Sequence, residues 1–176
     1  ARITDPDSPV LAAPTVPISW PISSLERGTL ATKQVQTAEL KSFYPGTAWA
    51  AHGNYGVEYD LTLPLKNTGS APVTLQLSLD SPLKGNSTTS FLRFRDDLNG
   101  PVMFRGPVQT TGLEDPEGVP RGRQTQHLVL RQGQQGPSLG QLMLKPGEEK
   151  QVRVRLVYPA DATPPQVLTV QPVKQS

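Results

Sequence analysis

The chain has 176 residues and a mass of 19.1 kDa, the size of one domain that buries a core without disulfide bonds or structural metals. Its 19 prolines and 15 glycines are about a fifth of the residues, which indicates a folded, turn-rich chain. The absence of cysteine excludes disulfide frameworks, thiolate catalysis, zinc fingers and iron–sulfur clusters. A net charge of +2 provides no overall field that would attract nucleic acid or an anionic membrane.

Residues 1–22 form a proline-rich leading segment. Prolines at positions 9, 14, 17 and 21 interrupt the longest uncharged stretch, residues 8–25. Because proline fixes φ and lacks an N–H donor, this stretch cannot cross a bilayer as a helix. We therefore expect residues 1–22 to be an extended arm or linker and expect no transmembrane segment. Residues 23–172 are expected to form a single domain, followed by a tail at residues 173–176.

The first candidate element of the domain lies in residues 31–43. Its apolar residues, Val35, Ala38, Leu40 and Phe43, fit neither the helical period nor the two-residue period of a strand well. We predict a strand over residues 35–40, and a helix in residues 31–43 is the alternative.

Residues 43–59 hold five of the ten aromatic residues of the chain. Glycines in the segment allow close backbone approach, and aromatic faces beside hydrogen-bonding side chains suit a sugar or peptide ligand. We predict a partner-binding surface in which Trp49 and Tyr55 offer apolar faces while His52 and Asn54 supply hydrogen bonds. The alternative is a tight corner whose aromatic residues close one end of the fold.

The strongest periodic pattern begins at Val57. Apolar residues alternate with mostly polar ones through residues 57–65 and again through residues 73–79, and the intervening residues 67–72 are rich in turn formers. Alternation with period two places the apolar side chains on one face of a strand. These residues therefore predict a β-hairpin.

Further strand patterns follow along the chain. They lie at residues 92–95, 102–105, 124–131, 142–144, 152–158 and 166–170, with a turn at residues 145–148. Their number and spacing predict an all-β fold, an immunoglobulin-like antiparallel β-sandwich of about eight or nine short strands. In this fold the strands at 57–65 and 73–79 would pack against the strand at 152–158. A closed barrel is the alternative.

The catalytic inventory of the sequence is small. His52 and His127 are far apart and lack metal-ligand spacing, and no nucleophile-elbow pattern G-x-S-x-G occurs. We interpret His127 as a strand histidine at the surface, and the acidic segments 96–100 and 114–118 as surface turns. The sequence therefore predicts no catalytic residue, no metal site and no cofactor. A hydrolase assembled from distant loops is a third-ranked alternative.

Arginines form the densest basic group, at positions 93, 95, 105, 121 and 123. Arginine forks bind carboxylate, sulfate or phosphate groups with two hydrogen bonds. We predict that Arg93, Arg95 and Arg105 contribute to partner binding. The alternative is that each faces water on an edge strand, where charge discourages aggregation. No aromatic stacking pattern accompanies these arginines, so nucleic acid is not an expected partner.

Four stretches resemble one known family. They are residues 27–29 (RGT), residues 50–57 (AAHGNYGV), residues 61–83 with Asn67, and above all residues 158–170 (YPADATPPQVLTV). Together they resemble the C-terminal part of a cyanobacterial exported-protein family of unknown function, domain of unknown function thirty-three seventy, over residues 17–170. The resemblance implies longer, exported relatives and a location in the periplasm, the thylakoid lumen or at the cell surface. It implies no catalytic residue, cofactor or substrate.

These observations together favour a non-enzymatic extracytoplasmic module. We expect it to bind or build part of a larger envelope or lumenal assembly, through loops and sheet edges. The expected partner is a protein or an envelope glycan. The alternative, which depends on residues 49–55, is a carbohydrate-binding accessory module of a larger envelope enzyme.

Overall fold

The computed structural model describes residues 1–22, 56–83 and 92–173. These residues form nine strands and no helix. The strands are β1 (Leu11–Ala12), β2 (Ile18–Ile22), β3 (Glu58–Lys66), β4 (Val73–Asp80), β5 (Val102–Thr111), β6 (Arg123–Arg131), β7 (Ser138–Leu144), β8 (Glu149–Val157) and β9 (Gln166–Pro172). A five-stranded sheet has the order β1-β3-β8-β5-β6, and a four-stranded sheet has the order β2-β9-β4-β7. The prediction of an all-β sandwich with eight or nine short strands is confirmed.

The core lies between the two sheets, where the apolar side of each strand is buried. Leu61, Leu63 and Leu65 of β3 are fully buried, as are Leu75 and Leu77 of β4. The largest buried side chains are those of Trp20, Tyr59, Tyr158 and Phe104. Removing this apolar surface from water is the main favourable term that holds the sheets together.

In the described part of the chain, no helix has the length and apolar character needed to cross a bilayer.

The predicted hairpin is wrong, because β3 and β4 belong to different sheets. β3 pairs with β8, with Leu63 opposite Val152, whereas β4 pairs with β7 and β9. Residues 67–72 therefore carry the chain across the sandwich from one sheet to the other. The predicted packing is corrected in the same way: β3 and β8 are neighbours in one sheet, and β4 faces them. Alternation fixes which side chains are buried, but a hairpin and a crossing between sheets use the same turn residues.

The predicted strand at residues 92–95 is also absent. This segment makes isolated backbone bonds instead: Leu83 N donates to Arg93 O, and Arg95 N donates to Gly133 O, each at 2.8 Å. Its two hydrogen bonds go to separate segments, so no ladder forms. The candidates at 102–105, 124–131 and 166–170 lie within β5, β6 and β9. The candidate at 35–40, with its helix alternative, lies outside the described residues.

Residues 1–22 contain two short strands joined by turns and bends, and they are part of the sandwich. β1 runs parallel to β3, and β2 runs antiparallel to β9. Ile3, Leu11 and Trp20 are buried in the core. Prolines are tolerated here because β1 and β2 are edge strands, where an N–H that faces away from the sheet is not needed.

Asn67 connects two of the places where the chain passes between the sheets. Its Nδ2 donates to Ala71 O at 2.8 Å and to Leu144 O at 3.0 Å, and its Oδ1 accepts from Gly69 N at 2.9 Å. Its backbone N–H and C=O both bond to the turn at residues 145–148. One buried side chain thus ties the β3–β4 connection to the β7–β8 connection. This accounts physically for the asparagine at position 67.

Asn67→Ala should lower the free energy of unfolding by about 2–4 kcal/mol, because it leaves buried backbone groups without partners. Asn99→Ala is the matched control: Asn99 is exposed, so the same substitution should cost less than about 0.5 kcal/mol. Urea unfolding followed by tryptophan fluorescence measures both. Equal losses in the two variants would show that the turns are held without Asn67.

A second pair of variants tests which face of β3 is buried. Leu63 is 0% exposed, so Leu63→Asp should destabilise the protein by several kcal/mol by burying an unpaired charge. Thr62 points to the other side, opposite Arg153, so Thr62→Asp should cost little. Thermal melts of the two variants distinguish them, and equal shifts in melting temperature would contradict the assignment.

Candidate functional site

The five-stranded sheet exposes one continuous surface on the side away from the core. We call it the outer face; it consists of the even-numbered residues 58–62 of β3 and the odd-numbered residues of β8, of β6 and of β5 from position 105. The strand register places these side chains in rows: Asp60, Arg155, Gln109 and Thr125 form one row. Neighbouring side chains in such rows lie about 5 Å apart at their Cβ atoms. A ligand can therefore contact several strands at once.

On the half of the outer face formed by β3 and β8, both arginines are paired with acids. Arg153 Nε donates to Asp60 Oδ1 at 2.8 Å, and Nη2 of the same side chain donates to Asp60 Oδ2. Arg155 Nε donates to Glu58 Oε1 at 3.1 Å. Hydrogen bonds from Arg153, opposed by partial burial, lower the pKa of Asp60 below its ordinary value of 3.8. These two acids and two arginines satisfy one another, and none of the four is among the predicted site residues. The sequence pattern that could have identified this pairing is the presence of opposite charges at alternate positions of two strands.

The half of the outer face on β5 and β6 is basic, and we call it the basic half. Neither strand contains an acidic residue. The exposed side chains include Arg105 on β5 and Arg123 on β6, and neither makes a hydrogen bond or ion pair within the residues that the structure describes. Arg131 donates through Nη1 to Gly100 O at 2.9 Å. The basic half therefore keeps two arginine forks open to solvent.

The structure separates the arginines that the sequence grouped. Arg105 lies opposite Val129 of β6, six residues from Arg123, which is about 20 Å along the strand. Arg95 lies in an irregular segment, where it forms an ion pair with Asp97 at 3.0 Å. Arg93 is also in this segment and is exposed. The binding role of Arg93, Arg95 and Arg105 stays a prediction, but only Arg105 belongs to the outer face.

Gly133 explains the close packing of Arg95. Its φ is +73°, and an added Cβ would lie 2.5 Å from Cγ of Arg95. Only glycine fits there without a shift of the arginine or of the backbone. The aliphatic part of Arg95 thus packs on the β6–β7 connection. This contact is structural and lies apart from the outer face.

The aromatic segment that the sequence singled out is not part of the described structure. Trp49, His52, Asn54 and Tyr55 all lie outside the described residues. Their proposed role in partner binding stays a prediction. His127 is described, and it is an exposed residue of β6.

Residues 115–118 form the predicted turn, but Glu114 is buried and corrects the interpretation of residues 114–118 as a surface turn at that one position. Its side chain is 8% exposed; Oε1 accepts from Met143 N at 3.0 Å and Oε2 from Lys150 Nζ at 2.9 Å. Its backbone pairs with Gln141 of β7 in both directions. The acid therefore closes the edge of β7, which the loop sequence did not reveal.

Among the described residues, no three histidine, aspartate or glutamate side chains are arranged to hold a metal ion.

A buried polar cluster lies on the four-stranded sheet, on the side away from the core. Thr169 Oγ1 donates to Asp80 Oδ2 at 2.7 Å, and Ser19 Oγ lies 2.7 Å from Thr169 Oγ1. Gly136 N donates to Asp80 Oδ1 at 2.8 Å. Burial raises the pKa of Asp80 above 3.8, although bonds from Thr169, Gly136 and Ser78 oppose this shift. The cluster fastens the β6–β7 connection to the end of β4.

Asp80→Asn should remove one component of the pH dependence of stability. Because the pKa of Asp80 is raised in the folded state, folding favours its protonated form. Its contribution to stability therefore improves as the pH falls from neutral through the raised pKa toward 3.8. Urea unfolding between pH 7 and pH 4 should show wild type gaining stability relative to Asp80→Asn. Asp161→Asn, at an exposed position, is the matched control. A constant difference between wild type and Asp80→Asn across the range would contradict the prediction.

The chain was compared with curated proteins, solved structures and family models. No curated protein and no solved structure matches the chain. A family model described as protein of unknown function (DUF3370) matches residues 1–172, nearly the whole chain and all nine strands. This is the family that residues 158–170 and the other quoted stretches resemble. The chain therefore belongs to the DUF3370 family.

Proposed function

We propose that this protein is a non-enzymatic binding module of a larger envelope or lumenal assembly, and that it binds its partner through the basic half of the outer face. The observation that carries the proposal is the pair Arg105 and Arg123. Both are exposed on strands without acidic residues, and neither has a partner within the described part of the chain.

The contrast within one face supports a binding role for these two arginines. On β3 and β8 the arginines are paired with Glu58 and Asp60, so these charges are neutralised within the protein. On β5 and β6 the forks remain free for carboxylate, sulfate or phosphate groups of a partner. Electrostatic complementarity of this kind mainly sets the association rate and the choice of partner.

The use of the buried polar groups supports a non-enzymatic role. Tyr158 donates to Gln166, and Gln166 Nε2 donates in turn to Thr163 O at 2.8 Å. Asp80 and Thr169 hold the β6–β7 connection in the same way. These bonds join separate segments of the sandwich and stabilise them.

Two parts of the proposal rest on the resemblance alone. The first is the extracytoplasmic location, in the periplasm, the thylakoid lumen or at the cell surface. The second is the cyanobacterial origin and the position of this chain in the C-terminal half of longer relatives. The alternative, a carbohydrate-binding accessory module, depends on residues 49–55, which lie outside the described residues.

The proposal is tested by capture from a solubilised cyanobacterial envelope fraction on the immobilised protein. The double variant Arg105→Gln/Arg123→Gln should recover about tenfold less of the partner that wild type retains, and wild-type recovery should fall as salt rises. The control Arg2→Gln/Lys145→Gln changes net charge equally but leaves the basic half intact, so recovery should be unchanged. Full recovery by the first variant would overturn the proposal.

A further inference from the structure

Three of the four sheet edges in the described structure are protected against strand addition. β1 is only two residues long. β2 has five residues and contains Pro21, and Glu114 covers the edge of β7. Short edge strands, prolines and covering segments are the devices by which proteins prevent further strand pairing.

β6 is the exception. It has nine residues, contains no proline and pairs only with β5 among the described strands. Gln124 and Gln126 each donate through Nε2 to Leu139 O at 2.9 Å, which holds β6 firmly beside β7. The edge is thus long and already in the conformation that a partner strand needs.

The open backbone groups of β6 can be assigned from two observations. Arg131 N donates to Gln134 Oε1 at 2.7 Å, so it points away from β5. Pro107, which has no N–H, lies opposite His127, so these two residues cannot form a hydrogen-bonded pair. In an antiparallel strand, the backbone N–H and C=O groups of successive residues point to alternate sides. Thr125, His127 and Val129 therefore present their N–H and C=O groups at the open edge.

The side chains along this edge indicate the chemistry of an added strand. Arg123 and Arg131 lie at its two ends, about 26 Å apart. Between them lie the exposed side chains of Thr125, His127 and Val129, the last with 50% of its surface accessible. A strand with acidic residues near both ends complements these charges. In a dimer, the β6 strands of two copies could pair antiparallel with their His127 residues opposite each other. This pairing would place Arg123 of each copy opposite Arg131 of the other, which like-charge repulsion disfavours.

The geometry points to β6 as the acceptor for an extended acidic peptide, which adds to the five-stranded sheet as a sixth strand. Main-chain hydrogen bonds supply affinity, and the terminal arginines select the acidic ends of the peptide. The inference rests on the proposed function, since it specifies how the partner of the basic half is bound.

The first test uses two capped nine-residue peptides of alternating valine and threonine, one with glutamate at each end and one with lysine at each end. Fluorescence anisotropy of the labelled peptides measures their affinity for the full chain. The glutamate peptide should bind at least about tenfold more tightly than the lysine peptide, and the difference should shrink as salt rises. Amide resonances of Thr125, His127 and Val129 should shift on binding.

The second test removes one edge donor without disturbing the ladder to β5. His127→Pro deletes an N–H that faces away from β5, so the variant should keep its melting temperature while affinity falls by about tenfold or more. His127→Val keeps the N–H and should stay within about threefold of wild type. Thr125→Pro makes the same test if His127→Pro does not fold.

The outcomes separate this inference from the proposed function. Binding of the glutamate peptide that survives both proline substitutions, or no binding at all, overturns the inference. So does concentration-dependent self-association that His127→Pro abolishes, because the occupant would then be a second copy. If Arg105→Gln/Arg123→Gln loses capture while His127→Pro retains it, the basic half binds without strand addition. If neither loses capture, the proposed function fails as well.

Discussion

The fold depends on chain crossings between the two sheets, and the amide of Asn67 holds two of them together. Successive strands β3 and β4 lie in opposite sheets, as do β7 and β8. Every such crossing leaves backbone groups at the end of the sandwich that no ladder satisfies. Asn67 supplies donors and an acceptor at that point, so the apolar faces of the sheets are brought together in one relative position.

The opposite end of the sandwich is held by different chemistry. Asp80 receives bonds from Thr169 and Gly136, and Gln166 bonds to Thr163. Both ends are thus fixed by buried side chains, and the exposed side chains of Arg105 and Arg123 on β5 and β6 take no part in either set of bonds. These two arginines have no partner among the described residues, whereas Arg153 and Arg155 on β8 are paired with the acids of β3.

The sequence predicts burial much better than it predicts pairing. The alternation in β3, β4 and β8 correctly places their leucines, and Val152 and Val154, in the core, because period two is a property of each strand alone. Which strands are neighbours depends on contacts far apart in sequence, and turn residues do not encode them. The candidate site residues show the same difference between what a single strand encodes and what pairing encodes. Arg105 could be found from composition, but the pairing of Arg153 with Asp60 needed the register of two strands 93 residues apart.

The strand order has a consequence for how the chain acquires its structure. β3 pairs with β8, and β2 pairs with β9 near the other end of the chain. Neither sheet can therefore complete its central pairs until nearly all of the domain has been synthesised. Contacts between distant segments slow folding, because loop-closure entropy opposes them before they contribute stability. The sandwich of a growing chain therefore cannot close before β8 and β9 have been made, so the apolar faces of the earlier strands lack their core partners for most of the synthesis of the domain.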